Sequence, residues 1–158
     1  MADLSKRKNA PRLPGYDYCG PNVYFVTCAT YSRKPVFSKK RPVDTVIPVI
    51  NHSCNASKFD ILVFCFMPDH LHLLLGGREN SELRVYMKAF KQASAYIFKK
   101  EFNETLWQRS YYEHVLRREE AVEDIARYIL NNPVRAGLIE DFRQYPYSGS
   151  SLFDIKEM

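Results

Sequence analysis

The sequence lacks any apolar run of the length, about 18 residues, that a helix needs to cross a bilayer. Its opening segment, MADLSKRKNAPRLPG, is polar and basic and does not fit the apolar centre of a secretory signal peptide. We therefore expect no membrane association and a cytoplasmic location.

Cysteine is also scarce, and none of the four cysteines has a close neighbour of its kind: Cys19, Cys28, Cys54 and Cys65. Zinc sites and redox-active dithiols use closely spaced pairs, so this spacing argues against both. We expect reduced thiols that pack as small hydrophobic side chains. A P-loop is missing as well, so no nucleotide cofactor is expected.

The chain has 158 residues, enough for one domain with a substantial core. Residues 1–20 combine basic side chains with prolines and are typical of a flexible basic arm, which leaves residues 21–158 as a single domain. Lysine and arginine outnumber aspartate and glutamate by 23 to 18, for a formal net charge of +5. This balance favours a polyanionic partner, although a mildly basic protein without one has the same composition.

Hydrophobic periodicity predicts alternating strands and helices. An amphipathic helix over residues 81–102 has its apolar stripe at Leu83, Tyr86, Met87, Phe90, Ala93 and Ile97. Strands are predicted over 22–31, 58–67, 71–76 and 110–117, and further helices over 43–57 and 119–132. Pro48 is expected to kink or break the first helix. The order β-α-β-β-α-β-α indicates an α+β, ferredoxin-like (split βαβ) antiparallel sheet with helices packed on it and a terminal helix.

Two histidines stand two residues apart in the apolar stretch FCFMPDHLHLLLGG. Side chains alternate between the faces of a strand, so His70 and His72 project from one face and Leu71 from the other. Two imidazoles side by side can ligate one divalent metal ion. A pair of histidines satisfied by hydrogen bonds is the alternative, and a bare HxH pattern is compatible with both.

The terminal helix supplies candidates for a nucleophile and for a further ligand. Tyr128 and Asn132 lie four residues apart and share an edge of its buried stripe. The amide oxygen of Asn132 is a hard ligand that suits magnesium or manganese better than zinc. The spacing alone also allows Tyr128 to be an ordinary packing tyrosine and Asn132 simply to end the helix before Pro133.

Three segments resemble, in order and spacing, the REP-associated tyrosine transposases, which are relatives of the single-tyrosine transposases with an HUH (His, hydrophobic, His) motif. They are MPDHLHLLL, LWQRSYYEHVLR and YILNNPVRAGLI, and the resemblance extends from about Leu13 to Phe153. It implies a metal-dependent enzyme that cleaves and rejoins single-stranded DNA near hairpin (REP-like) sequences. The implied intermediate is a 5′-phosphotyrosine with a free 3′-OH, and the implied state is a monomer rather than a homodimer.

The resemblance also implies roles for individual residues. His70 and His72 match the pair that binds Mg²⁺ or Mn²⁺, and Tyr128, on the terminal catalytic helix, matches the nucleophile. Asn132 stands where relatives place a third polar ligand, often glutamine. Asp69 stands where many members have asparagine, a departure that should leave the turn intact.

Further residues are candidates for lining the site or binding DNA. Family members carry a histidine at the place of His114, so it is a candidate for lining the site, although a lone strand histidine is more often structural. Trp107 could stack on an unpaired base or fill the core. Backbone phosphates could be contacted by basic side chains that otherwise form a solvated surface: Lys88, Lys91, Arg109, Arg117, Arg118 and Arg135.

Other functions share part of this pattern. Ferredoxin-like sheets also serve as non-catalytic modules that bind single-stranded nucleic acid, and a domesticated transposase could bind hairpins without transposing. Replication initiators and relaxases of the wider HUH class are less compatible, because a third motif histidine is missing and the chain is short. Metal-dependent hydrolysis without a covalent step is a further alternative.

Overall fold

A five-stranded antiparallel sheet is the framework of the computed structural model, which describes residues 20–117, 120–152 and 154–158. In chain order the strands are β1 (Val23–Ala29), β2 (Phe59–Met67), β3 (His70–Gly77), β4 (Tyr112–Val115) and β5 (Ser148–Ser150). Their order across the sheet is β4-β1-β3-β2-β5. The first four strands have the split βαβ arrangement, so the predicted ferredoxin-like fold is confirmed.

Helices connect these strands. They are α1 (Lys40–Ala56), α2 (Leu83–Phe102), α3 (Val122–Leu130) and the single turn α4 (Asn132–Arg135). Short 3₁₀ turns lie at Tyr31–Arg33, Val36–Ser38, Phe142–Gln144 and Ile155–Glu157. In the described part of the chain, every helix is too short or too polar to cross a membrane. The predicted basic arm lies outside the described residues except for Gly20, as do Cys19 and Arg118.

The sheet has a hydrophobic core on each face. Alternate residues of β3, Leu71, Leu73 and Leu75, face the larger core under α1 and α2. Leu74, with Phe25 from β1, belongs to the smaller core under α3. His70 and His72 share the parity of Leu74, so both histidines lie on the α3 face.

Two helix predictions need correction. Pro48 does not break α1, which continues through it; the proline is exposed, so the carbonyl that loses its helical partner lies at the solvent side. In α2 the buried stripe ends with Ser94 and Phe98, whereas Ala93 and Ile97 are exposed. Ser94 is tolerated in the core because its hydroxyl donates to the Phe90 carbonyl and accepts from an indole described below.

The three described cysteines are buried and unpaired, as expected from their spacing. Burial raises the pKa of Cys28 to about 12, and it raises the pKa of Cys54 and Cys65 as well. These thiols are therefore protonated at neutral pH and act as packing groups.

Two adjacent glycines at the end of β3 differ in the room around them. A Cβ on Gly77 would lie 2.5 Å from the Ser81 hydroxyl and 2.6 Å from the Gly20 carbonyl oxygen, but one on Gly76 would meet only Leu62, at 3.4 Å. We expect Gly77→Ala to lower the free energy of unfolding by about 1–3 kcal/mol, the usual range for overpacking. Gly76→Ala, measured in the same urea titration, should stay within about 1 kcal/mol of wild type. Equal midpoints for the two variants would contradict this packing.

Candidate active site

The ring nitrogens of the histidine pair converge on the α3 face of the sheet. The Nε2 atoms of His70 and His72 are 3.0 Å apart. His72 is fully buried, and the side chain of His70 is 14% exposed. Metal–nitrogen bonds of about 2.1 Å reach a common point when the two nitrogens are less than about 4.2 Å apart, so this pair can ligate one ion.

Each imidazole has a partner at its other nitrogen. Nδ1 of His70 is 2.7 Å from Oδ1 of Asp69, and Nδ1 of His72 is 2.9 Å from the hydroxyl of Thr27. The strand register explains the second contact, because Thr27 of β1 lies directly opposite His72 of β3. When Thr27 accepts the Nδ1–H of His72, both Nε2 atoms present lone pairs to the same point.

The protonation states suit a cation site. Burial, and after it the neighbouring side chains of His70, Arg135 and Arg33, hold the pKa of His72 well below its usual value. His72 is therefore neutral at neutral pH, as a metal ligand must be. The hydrogen bond with His70 lowers the pKa of the Asp69 carboxyl, which is ionised at the same pH.

The pair alone does not complete a metal site. Among the described residues, no cluster of three or more histidine, cysteine, aspartate or glutamate side chains could hold an ion. An ion held by this pair would need further ligands of another kind, and amide, water and phosphate oxygens are the ligands that suit Mg²⁺ or Mn²⁺.

Tyr128 of α3 lies over the same face of the sheet. Its ring packs edge-on against Phe25, with centroids 6.4 Å apart, and Phe25 in turn stacks on His72 with centroids 5.3 Å apart. Arg135 also contacts the phenol: its Cζ lies 4.3 Å from the ring centroid, and its Nη2 donates to the hydroxyl at 3.3 Å. The phenolic oxygen thus lies beside a guanidinium.

Asn132 occupies the first position of α4, one residue beyond the end of α3. It is 6% exposed, and its Nδ2 donates to the backbone carbonyl of Tyr128 at 3.4 Å. This contact places Asn132 beside Tyr128 and uses the amide nitrogen, so the amide oxygen is the atom suited to a cation. The role of Asn132 as a ligand stays a prediction.

Three neighbours of the site have no signal in the sequence pattern alone. Thr27 and Phe25 lie on β1, and their positions depend on how β1 pairs with β3. Arg33 follows β1, and its Nε is 3.1 Å from Oδ2 of Asp69. The alternation of β1 places Phe25 and Thr27 on one face, but only the register identifies them as neighbours of the histidines.

His114 of β4 also projects from the α3 face, where it lies opposite Phe25. Its Nε2 is 2.9 Å and 3.1 Å from the two carboxylate oxygens of Glu120. The register places it two residue pairs along the sheet from Thr27 and His72. It therefore borders the site, and its ring is held by a carboxylate from the segment before α3.

Two candidates for DNA binding have structural roles instead. Trp107 is 6% exposed, contacts Phe37 and Phe90, and donates its indole N–H to Ser94 at 2.8 Å, so it fills the core and is not available for stacking on a base. The ammonium of Lys91 donates to the backbone carbonyls of residues 108, 109 and 110 at 2.8, 3.1 and 3.2 Å. These bonds use its three N–H donors, and burial lowers its pKa.

The remaining basic candidates are on the surface. Lys88, Arg109 and Arg117 are exposed, and Arg135 is exposed beside Tyr128. Arg118 lies outside the described residues. The structure therefore leaves four of the six predicted phosphate contacts accessible to DNA.

Comparisons with known proteins find similarity to transposases. The sequence profile of the family described as "Transposase IS200 like" matches residues 21–132, which include both histidines, Tyr128 and Asn132. A Haemophilus influenzae protein assigned as a REP-associated tyrosine transposase is 27% identical over 146 residues, 84% of this chain and 81% of that protein.

Solved structures share the fold. A REP-associated tyrosine transposase bound to a REP hairpin superposes with a TM-score of 0.72 at 19% identity, over 88% of this chain and 82% of that one. A transposase structure from Deinococcus radiodurans has a TM-score of 0.56 at 25% identity, over 77% of this chain and 97% of that one. The first likeness, at this identity, supports the fold alone.

Proposed function

Because the chain belongs to the IS200-like transposase family, we propose that it cleaves and rejoins single-stranded DNA beside hairpins through a covalent bond to Tyr128. The observation that carries this proposal is the shared face of the sheet. The converging Nε2 atoms of His70 and His72 lie there, and Tyr128 packs on the phenylalanine that stacks on His72. A cation-binding pair and a nucleophile on one face are what phosphoryl transfer to tyrosine requires.

The nucleophile needs activation, because a free tyrosine phenol with a pKa of about 10 is almost entirely protonated at neutral pH. Arg135 supplies a fixed positive charge at the phenolic oxygen of Tyr128, through its hydrogen bond of 3.3 Å. Such a charge stabilises the negative charge that develops on this oxygen as its proton leaves. The same interaction stabilises the phenolate as a leaving group when DNA is rejoined.

The proposed step exchanges one phosphodiester for another. The hydroxyl oxygen of Tyr128 attacks the scissile phosphorus, the new P–O bond to tyrosine forms, and the bond to the 3′ oxygen breaks. The phenolic proton passes to water, and the departing oxygen takes up a proton to become a 3′-OH. Attack of a 3′-OH on the phosphotyrosine reverses the step, so rejoining consumes no nucleotide.

His70 and His72 would hold the divalent ion, Mg²⁺ or Mn²⁺, and the amide oxygen of Asn132 is the further ligand that we propose. When bound, such an ion polarises the scissile phosphate and stabilises the departing oxygen. Arg33 and Arg135 lie close enough for their charges to depress the pKa of His72, so they also attract a phosphate to this face.

The proposed substrate is a hairpin with an unpaired flank. A solved relative with this fold is described as bound to a REP hairpin, which supports this choice. The exposed side chains of Lys88, Arg109 and Arg117 are proposed to contact backbone phosphates. Tyr31 is 51% exposed and lies two residues from Arg33, so we propose that it, rather than Trp107, stacks on an unpaired base.

A tailed hairpin should therefore bind about 5- to 150-fold more tightly than a blunt duplex of equal length, since stacking contributes about 1–3 kcal/mol per base. Tyr31→Ala should remove most of this preference and leave the affinity for duplex unchanged. Fluorescence anisotropy at several salt concentrations measures both affinities and should show a steep decline with salt.

Tyr96→Ala is the matched control, because Tyr96 is 69% exposed on α2, about two helical turns beyond Lys88, and no base contact is proposed for it. Equal affinities for the two DNAs at every salt concentration would contradict the proposed substrate. Tight binding of the tailed hairpin without strand cleavage in Mg²⁺ or Mn²⁺ would identify the protein as a non-catalytic hairpin-binding module.

A further inference from the structure

A chain of three polar side chains connects the loop after β1 with the histidine pair. We propose that Asp69, held by Arg33, is a positioning residue that keeps the ring proton of His70 on Nδ1 and so leaves Nε2 free to bind a cation. Only the binding of a catalytic cation at that Nε2 atom rests on the proposed function. The position of the proton is a property of the protein without DNA or metal.

Both oxygens of the Asp69 carboxylate face donors. Oδ1 lies 2.7 Å from Nδ1 of His70, and Oδ2 lies 3.1 Å from Nε of Arg33. An ionised carboxylate only accepts hydrogen bonds, so a neutral His70 has to carry its one ring proton on Nδ1. Its Nε2 then has a lone pair.

The backbone fixes the turn that carries Asp69. Thr30 is fully buried, and its N–H donates to the Asp69 carbonyl oxygen at 2.9 Å. Its hydroxyl is shared between that oxygen, at 3.0 Å, and the Lys34 carbonyl oxygen, at 2.8 Å. Ser32 and Arg33 both have φ of 54°, in the left-handed region that side chains other than glycine rarely adopt. The loop keeps this unfavourable conformation at the place where it brings the Arg33 guanidinium to Asp69.

Without this carboxylate His70 has a competing arrangement. Its Nε2 is 3.0 Å from Nε2 of His72, so a proton on Nε2 of His70 would donate to His72 and occupy both of the nitrogens that a cation needs. Holding the proton on Nδ1 excludes this arrangement. Thr27 imposes no such choice on His72, because a hydroxyl can donate or accept.

Nitrogen NMR of the four ¹⁵N-labelled histidines in the full chain, without metal or DNA at pH 8, locates the proton directly. Wild type should show His70 protonated at Nδ1. In Asp69→Asn, Arg33 competes for the amide oxygen and the NH₂ group faces His70, so the proton should move to Nε2. Adding Arg33→Ala frees the amide to turn and should return the proton to Nδ1.

These variants keep a polar side chain in the turn, and their amide spectra report whether the fold is retained. A His70 proton that stays on Nδ1 in Asp69→Asn would overturn the role of Asp69. If the His70 proton lies on Nε2 in the double variant as it does in Asp69→Asn, the role of Arg33 would be overturned. Asp60→Asn is the matched control, because Asp60 pairs with Arg78 at the other end of β2 and should leave the His70 signals unchanged.

Calorimetric titration with Mn²⁺ gives a second readout. Asp69→Asn should weaken binding by about 10–100-fold, the usual cost of removing a partner that orients a histidine ligand. Unchanged affinity would contradict the inference. The two proposals can fail separately. If the His70 proton moves in Asp69→Asn but the wild-type protein never cuts DNA, the proposed function is wrong and this inference stands. If the wild-type protein cuts DNA but the His70 proton does not move in Asp69→Asn, only this inference is wrong.

Discussion

Alanine in place of His70 or His72 should slow strand cleavage by about a thousandfold or more, while leaving affinity for the tailed hairpin largely unchanged. The two Nε2 atoms, 3.0 Å apart, form the proposed cation site. A bound ion stabilises the transition state by several kcal/mol, and about 4 kcal/mol corresponds to a thousandfold change in rate. The pair itself contributes little to phosphate contacts, so binding should survive.

Single-turnover cleavage in Mg²⁺ or Mn²⁺, with anisotropy for binding, separates these two effects. His52→Ala is the matched control, because His52 is exposed on α1. A chelator should reduce wild type to the rate of the His70 variant and leave that variant unaffected. Cleavage by either alanine variant at the wild-type rate would show that the pair does not bind the catalytic ion.

Tyr128→Phe should reduce cleavage to background, a loss of at least about a thousandfold, because the variant lacks the attacking oxygen. The fold should persist. The ring keeps its edge-on contact with Phe25 at 6.4 Å, and the guanidinium of Arg135 still lies over its face.

Rates for Tyr128→Phe and Tyr96→Phe are compared on the same labelled hairpin. Tyr96 is an exposed tyrosine on the opposite side of the sheet, so its loss should leave the rate unchanged. Wild-type cleavage by Tyr128→Phe would mean that an activated water attacks the phosphate and that the tyrosine only packs.

The alternation of strand residues was enough to predict that His70 and His72 share a face, because it needs only the local period of two. Their partners were not predictable in the same way. Thr27 contacts His72 from 45 positions earlier in the chain, through the register of β1 on β3. Register depends on the whole sheet, so a local pattern cannot define it.

Prediction from the sequence was also limited for side chains that can have more than one ordinary role. The sequence allowed Trp107 to stack on a base or to fill the core. In the structure its indole N–H donates to the hydroxyl of the buried Ser94, which holds the ring in the core. Lys91 is a basic residue of the kind that contacts phosphates, but its ammonium donates to three backbone carbonyls of the segment before β4. In both residues tertiary contacts determine the role.

The fifth strand had no hydrophobic pattern to predict it, since β5 is only Ser-Gly-Ser. It pairs with β2 at the edge of the sheet, where a Cβ on Gly149 would lie 2.5 Å from the ring of Phe64. The absence of a side chain is what allows this close approach. Serine and glycine are typical of loops, so sequence propensity favours a loop there.

Mass spectrometry of the trypsin-digested covalent complex tests the central claim most directly. Wild-type protein is incubated with a tailed hairpin labelled on the 3′ side of the cut, and the denaturation-resistant complex is isolated. Trypsin releases residues 128–135, YILNNPVR, a peptide whose single tyrosine is Tyr128. We predict that this peptide carries the DNA through its tyrosine. A nucleotide on any other peptide, or a free 5′-phosphate product with no complex at any time point, would contradict the tyrosine mechanism.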